Sequence, residues 1–128
     1  MGINESRDQF LALLQRYDLK DRFFLELIGW DGSPMVLSDI RRKKMKTLPY
    51  KLVFSMIGTL PVDDWSPIFT RYVAENNGPE ISDLIGIFKM LDPDYKQKAA
   101  LVVCASYGIR VKDLFEWIQQ ADKLEIAN

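Results

Sequence analysis

Apolar side chains recur at steps of three and four residues along most of the chain, which is the pattern of amphipathic helices. Phe10, Leu13, Leu14 and Tyr17 form the first such stripe. Serine, aspartate, asparagine, proline and glycine residues between the stripes supply signals for the start and end of helices. Together these patterns predict helices over 4–17, 18–29, 38–48, 49–58, 66–76, 79–91, 92–108 and 111–124. The sequence therefore predicts a compact all-α single domain over 1–128, with seven or eight short helices.

The segment 25–37 also fits a β-hairpin, because Asp31-Gly32 could close a turn between short strands at 25–30 and 35–37. The residues before the turn fit a helical stripe better. We therefore predict a second helix that ends at Gly29, followed by a turn over 30–34. The apolar face predicted for this helix consists of Phe23, Phe24, Leu27 and Ile28.

The composition is that of an ordinary globular protein, with 128 residues, of which 48% are apolar and 27% charged. The lone cysteine, Cys104, lies in the apolar run 99–105 and is predicted to be a small core residue without a disulfide partner. Trp30, Trp65 and Trp117 are likewise predicted to fill the core, and any that are exposed together would mark a partner site. The absence of a signal-peptide pattern and of a long apolar run predicts a cytosolic protein.

The sequence lacks the residues that common enzyme sites need. There is no histidine, which is the usual general acid or base and the commonest metal ligand. The glycines form neither a dinucleotide-binding motif nor a phosphate-binding loop. The carboxylate pairs Asp63-Asp64 and Asp92/Asp94 lie beside prolines at helix starts, where they are best interpreted as caps. We therefore predict a protein that is not an enzyme and that has no cofactor and no metal.

The most distinctive stretch is 98–120. A helix-turn-helix needs a small residue where its helices cross, a turn residue that tolerates positive φ, and apolar residues that hold the second helix in place. Cys104, Gly108, Ile109, Leu114 and Trp117 meet these needs in order. The spacing resembles the helix-turn-helix family pattern, although any tight helical hairpin has similar requirements.

The resemblance implies that the second helix of this hairpin would enter the major groove of DNA. Arg110 and Gln119 would then read base edges, and Lys112 would contact a phosphate. Asp113 and Glu116 depart from the basic surface that is usual in this family, because they would bring negative charge towards the phosphates. This departure puts DNA contact in doubt more than it does the hairpin itself.

Positive charge is concentrated in one place. Segments 1–37, 38–51, 52–97 and 98–128 have net charges of -2, +5, -4 and 0. We call 41–46 the basic segment, and we predict that its cations project outwards from a third helix whose inner residues include Ile40, Met45 and Leu48. The basic segment could contact phosphates, an anionic membrane surface or an acidic protein, or it could simply be a solvated helix face. Its cations are Arg41, Arg42, Lys43, Lys44 and Lys46.

Two functional hypotheses follow. The first is a small, dimeric DNA-binding regulator of transcription, in which the hairpin reads DNA and the basic segment adds backbone contacts. The second is an adaptor or inhibitor that binds an acidic protein partner through its helix faces, without nucleic acid. A DNA binder should place Arg41, Arg42 and Lys44 on one face with Arg110 and Lys112. An adaptor should instead expose an apolar patch.

Overall fold

Most helices of the structure begin and end close to the positions that the sequence predicts. The structure, a computed structural model, describes residues 5–76 and 80–127. These residues form eight helices and no strand, so the all-α prediction is confirmed. The helices are α1 (Glu5–Tyr17), α2 (Asp21–Leu27), α3 (Val36–Arg41), α4 (Tyr50–Met56), α5 (Val62–Asn76), α6 (Ile81–Phe88), α7 (Pro93–Tyr107) and α8 (Val111–Ala127). The predicted start of the sixth helix, at Pro79, lies outside the described residues.

The core is organised around α5, which packs against both α1 and α7. Trp65 and Phe69 of α5 are completely buried, and their rings meet edge to face with centroids 5.8 Å apart. Phe69 also meets Tyr107 of α7, with ring centroids 6.2 Å apart. The C-terminal helix α8 packs against α6 and α7. The central position of α5 thus connects the N-terminal helices with the C-terminal hairpin.

A hydrogen-bonded tyrosine holds the turn between α4 and α5. The hydroxyl of Tyr95 accepts hydrogen bonds from the Gly58 amide at 2.8 Å and from the indole N–H of Trp65 at 2.7 Å. It donates to the Leu60 carbonyl at 2.6 Å. One side chain at the start of α7 therefore ties together the turn and the first part of α5.

Helix α5 begins at Val62, four residues before the predicted start at Ser66. Pro67 lies inside the helix, where it cannot donate to the carbonyl four residues earlier. Asp63 and Asp64 occupy the first turn, where carboxylates favour the positive end of the helix dipole. The early start places Trp65 on the buried face, and this burial offsets the lost hydrogen bond.

Helix α3 differs more from its prediction, because it ends at Arg41 rather than reaching Leu48. Lys43 adopts a left-handed conformation with φ of 59°, which no α-helix can continue through. The amides of Lys43 and Lys44 close the end of the helix on the carbonyls of Ile40 and Asp39. Most of the basic segment is therefore a loop, although Leu48 is still buried.

Helix α2 buries a different face from the one predicted. Phe24, Leu25 and Ile28 lie in the core, whereas Phe23 and Leu27 are exposed. The chain then turns at Gly29 without forming the alternative β-hairpin. Trp30 is half-buried, and its indole N–H donates to the Ser33 carbonyl at 2.9 Å.

Candidate functional site

The predicted C-terminal hairpin is present. Gly108 ends α7 in the left-handed conformation, with φ of 70° and ψ of 32°. The amides of Gly108 and Ile109 both donate to the Cys104 carbonyl, the second at 3.0 Å. Cys104 and Leu114 are buried where α7 and α8 meet, and Ile109 is half-buried. Burial raises the pKa of the Cys104 thiol, so this cysteine acts as a packing residue rather than as a nucleophile.

Trp117 does not hold α8 in the way that the sequence predicts, since 37% of its surface is exposed. Leu114 and Ile118 define the inner face of the helix and are almost completely buried. At about 100° per residue, Trp117 falls on the opposite margin of this face from Val111 and Phe115. The prediction that Trp117 is a core residue is therefore wrong, and Ile118 takes that place.

The charged side chains of the hairpin lie at its surface. Arg110 has 81% of its side chain exposed and pairs with Asp113, with 3.1 Å between Nε and Oδ2. Lys112, Glu116 and Gln119 are exposed along α8. The cation and amide groups predicted to contact DNA are thus accessible, but the acidic residues that would oppose such contact lie among them.

The basic segment is exposed but partly neutralised by the chain itself. Arg41 forms two hydrogen bonds with the Asp21 carboxylate, at 2.7 and 2.8 Å. Lys44 lies 3.9 Å from Asp39. The guanidinium of Arg41 lowers the pKa of Asp21 below its usual value, chiefly through the hydrogen bonds. Within the described part of the chain, the cations of the segment that make no ion pair are Arg42, Lys43 and Lys46.

The basic segment and the hairpin are attached to different parts of the fold. Arg41 ties the segment to Asp21 at the start of α2, and the Met45 carbonyl accepts a hydrogen bond from Arg7 of α1 at 3.4 Å. The hairpin instead packs on α5 and α6. The two groups of cations that the DNA hypothesis needs on one face are thus held by different helices, the basic segment by α1 and α2 and the hairpin by α5 and α6.

An apolar surface that the sequence reasoning missed lies on α2. Leu19, Phe23 and Leu27 are 45%, 44% and 46% exposed, and we call these three residues the α2 stripe. Phe23 and Leu27, four residues apart, lie on one side of α2, and Leu19 lies in the turn two residues before the helix begins at Asp21. The Arg22 guanidinium lies over the Phe23 ring, 4.7 Å from its centroid, in a cation–π contact that leaves much of the ring exposed.

A signal for this surface is present in the sequence. The apolar residues of 23–28 cover roughly 200° of the helix circumference at about 100° per residue. This arc is too wide for a short helix to bury against one neighbour, so part of it must remain exposed. The observed division leaves Phe23 and Leu27 outside and Phe24, Leu25 and Ile28 inside.

The basic segment begins close to Leu19. An open groove of about 630 Å³ runs along α1, and both Leu19, in the turn after α1, and Arg41, at the end of α3, line it. Leu11 and Leu14 contribute apolar surface from α1, while Asp8 and Asp18 add carboxylates. The groove places Arg41 beside Leu19, and the Arg41–Asp21 ion pair attaches the basic segment to the first turn of α2.

No three histidine, cysteine or carboxylate side chains among the described residues converge as a metal site requires. In the part of the chain that the structure describes, no helix combines the length and apolar character needed to cross a membrane. Comparison with protein-family models, with curated proteins and with solved structures found no match. The function of this protein is therefore inferred from the geometry and chemistry of its own residues.

Proposed function

We propose that this protein is an adaptor or inhibitor that binds another protein through the α2 stripe and the basic segment beside it. The observation that carries the proposal is the exposure of Phe23 and Leu27 on one side of α2 and of Leu19 in the turn before it. Protein interfaces are enriched in aromatic and arginine residues at their centres, with polar residues around them. Phe23 with Arg22 above it, flanked by leucines, has this composition.

The size of the stripe indicates what else the interface must contain. Full burial of one such side chain contributes about 1.5–3 kcal/mol, so three that are nearly half exposed offer roughly 2–4 kcal/mol. Association costs at least about 4 kcal/mol in lost translational and rotational freedom. The stripe alone therefore gives no stable complex, and the partner must also contact the surrounding polar groups. The exposed cations nearest to the stripe are Lys20 and Arg22, and the basic segment adds Arg42, Lys43 and Lys46. None of these five makes an ion pair with a described residue.

Site-specific photo-crosslinking in the native cell tests this proposal. A photoreactive phenylalanine analogue at Phe23 or Leu27 should give a discrete adduct with one partner protein. The same analogue at Leu101 serves as a matched control, because Leu101 is 62% exposed but belongs to α7. Adducts that are equally abundant from all three positions, or no adduct from α2, would contradict the proposal.

DNA binding is a second candidate, and the hairpin geometry favours it. Gly108 provides the left-handed turn, and α8 exposes Arg110, Lys112 and Gln119 on the helix that would enter the groove. In this hypothesis the protein is a transcription regulator that works as a homodimer, and the basic segment adds phosphate contacts.

Binding to duplex DNA at several salt concentrations tests this candidate. Affinity should fall steeply with salt, and Arg42→Ala/Lys43→Ala should flatten the logarithmic slope by about two phosphate contacts. Arg110→Ala should weaken binding further, whereas Arg41→Ala should have less effect because Asp21 already neutralises that arginine. Affinity that is undetectable, or that does not depend on salt, would remove this candidate.

A further inference from the structure

We infer that the partner segment is an acidic amphipathic helix that lies along the α2 stripe and places its carboxylates against the basic segment. This inference rests on the protein-binding function proposed above, and it adds the chemical class of the partner. It follows from three properties of the surface, namely its shape, its charge and the way in which the fold holds the basic segment in place.

The shape of the stripe suits a helix. Phe23 and Leu27 lie one turn apart on the exposed side of α2, and Leu19 is exposed in the turn before the helix. Side chains one turn apart on a helix pack into the groove between the corresponding side chains of a second helix. A partner helix needs apolar side chains at three- or four-residue steps along one face, and the remaining faces can be polar.

The charge of the surface selects acidic flanks. The basic segment carries five cations and no carboxylate, and Asp21 and Asp39 engage only two of them. Arg42, Lys43 and Lys46 are exposed and make no ion pair with any described residue. Lys20 and Arg22 add two further cations beside the stripe, against Asp18 and Glu26. A partner with carboxylates beside its apolar row would match this excess of positive charge.

The fold attaches the basic segment to the first turn of α2 and to α1. The two hydrogen bonds from Arg41 to Asp21 attach the basic segment to the first turn of α2. The bond from Arg7 to the Met45 carbonyl attaches its other end to α1. Because both ends are held, less conformational entropy is lost when a partner binds than would be lost by a free basic tail.

The same charges disfavour two other occupants. A second copy of this chain, docked stripe to stripe, offers cations rather than carboxylates beside its own apolar side chains and so does not match the unpaired cations. Nucleic acid would use the cations but would leave the three apolar side chains of the stripe without a role, since its backbone presents phosphates and sugars.

A displayed library of helical peptides tests the inference. Each peptide has about 20 residues, roughly 30 Å as a helix. The library fixes leucine or phenylalanine along one face and varies the other positions among glutamate, lysine, glutamine and alanine. Selection on the wild-type protein should enrich peptides rich in glutamate. The affinity of the best peptides should fall about tenfold for Phe23→Ser. It should also fall several-fold as salt rises from about 50 to about 300 mM.

Charge variants make the test specific. Arg42→Glu/Lys43→Glu/Lys46→Glu should change the selected peptides from glutamate-rich to lysine-rich, and the corresponding glutamine variant should remove the preference. The matched control is Lys96→Glu/Lys98→Glu/Lys112→Glu, which makes the same change in net charge on α7 and α8 and should leave the glutamate preference intact. Circular dichroism of each variant checks that the helices are retained.

The outcomes distinguish failure of the acidic-helix inference from failure of the protein-binding proposal. If the selected peptides depend on Phe23 but show no acidic preference, or keep that preference in the triple glutamate variant, the inference is wrong while the protein-binding proposal stands. If peptide binding is indifferent to Phe23→Ser, the protein-binding proposal fails as well. Tighter binding to phosphatidylserine vesicles than to any selected peptide, with the same dependence on Phe23, would assign the surface to a membrane and overturn the inference.

Discussion

Helices α2, α3 and α7 end in the same backbone motif, in which one left-handed residue lets the next amide bond to a carbonyl five residues earlier. The left-handed residues are Gly29, Lys43 and Gly108. Glycine adopts this conformation without strain, but the Cβ of Lys43 makes it unfavourable by about 1 kcal/mol. At residue 43 the chain thus combines a strained backbone with an unpaired cation that we assign to partner binding.

Lys43→Gly should therefore stabilise the protein by about 1 kcal/mol, measured as the free energy of unfolding in urea. The same variant should bind the selected acidic peptides more weakly, because it removes a cation. Lys43→Ala is the control, since it removes the charge but keeps the Cβ. An equal gain in stability from the glycine and alanine variants would show that charge repulsion, rather than backbone strain, was relieved.

The hydroxyl oxygen of Tyr95 makes hydrogen bonds to three groups in the turn between α4 and α5 and in α5. Tyr95→Phe leaves the Gly58 amide, the Trp65 indole N–H and the Leu60 carbonyl without this partner. Because the site is partly accessible to water, we expect a loss of about 1–3 kcal/mol in the free energy of unfolding. Tyr50→Phe is the matched control, because Tyr50 is 51% exposed and makes no hydrogen bond through its hydroxyl to the described residues. A change of less than about 0.5 kcal/mol for Tyr95→Phe would contradict the structural role.

At the scale of elements, the ion pair between Arg41 and Asp21 joins α3 to α2 and should make stability depend on pH. The pKa of Asp21 is lower in the folded protein, so the pair stabilises the fold above the usual carboxyl value, near 3.9. The stabilisation is lost as pH falls through the lowered pKa. Since the two side chains are 46% and 39% exposed, we expect less than about 1 kcal/mol. A double-mutant cycle with Arg41→Ala and Asp21→Asn should show this coupling at pH 7 and none near pH 2, and a coupling unchanged by acid would contradict the assignment.

The bounds of the helices show which features of the fold could be predicted from the sequence. Apolar stripes bounded by proline and glycine predicted a helix in each of the eight places where the described residues form one, because these signals act within one or two turns of the chain. The predicted capping role of Asp92 is only partly met, since it is the N-cap of α7 but makes no side-chain capping hydrogen bond. The end of α3 was predicted wrongly because Lys43 occupies a conformation that its side chain disfavours. The start of α5 was predicted too late because burial of Trp65 outweighs the local preference of Pro67 for a first turn.

The candidate site also has one part that could be predicted from the sequence and another that could not. The hairpin could be predicted because Cys104 and Gly108 meet local requirements of a tight turn. The α2 stripe could not be located, because neighbouring helices determine which side of a largely apolar helix is buried. Likewise, the attachment of the basic segment to α2 depends on a contact between Arg41 and Asp21, which are 20 residues apart in sequence.

At the scale of the whole molecule, α5 connects the N-terminal helices with the hairpin, so the protein should unfold as one unit. Phe69 is completely buried and meets both Trp65 and Tyr107. Phe69→Ala should lower the free energy of unfolding by about 3–5 kcal/mol. With Trp30 and Trp117 replaced by phenylalanine, fluorescence reports Trp65 alone. Its transition should coincide with the loss of helix measured by circular dichroism, in both the parent and the Phe69→Ala variant.

The matched control for this prediction is Leu101→Ala on α7. Leu101 is 62% exposed, so its truncation should change stability by less than about 0.5 kcal/mol and leave the two transitions coincident. Separate transitions in the Trp65 reporter would instead mean that α6, α7 and α8 unfold independently of the core around α5. In that case the hairpin and the α2 stripe would belong to separate folding units, and damage to one would leave the other able to bind.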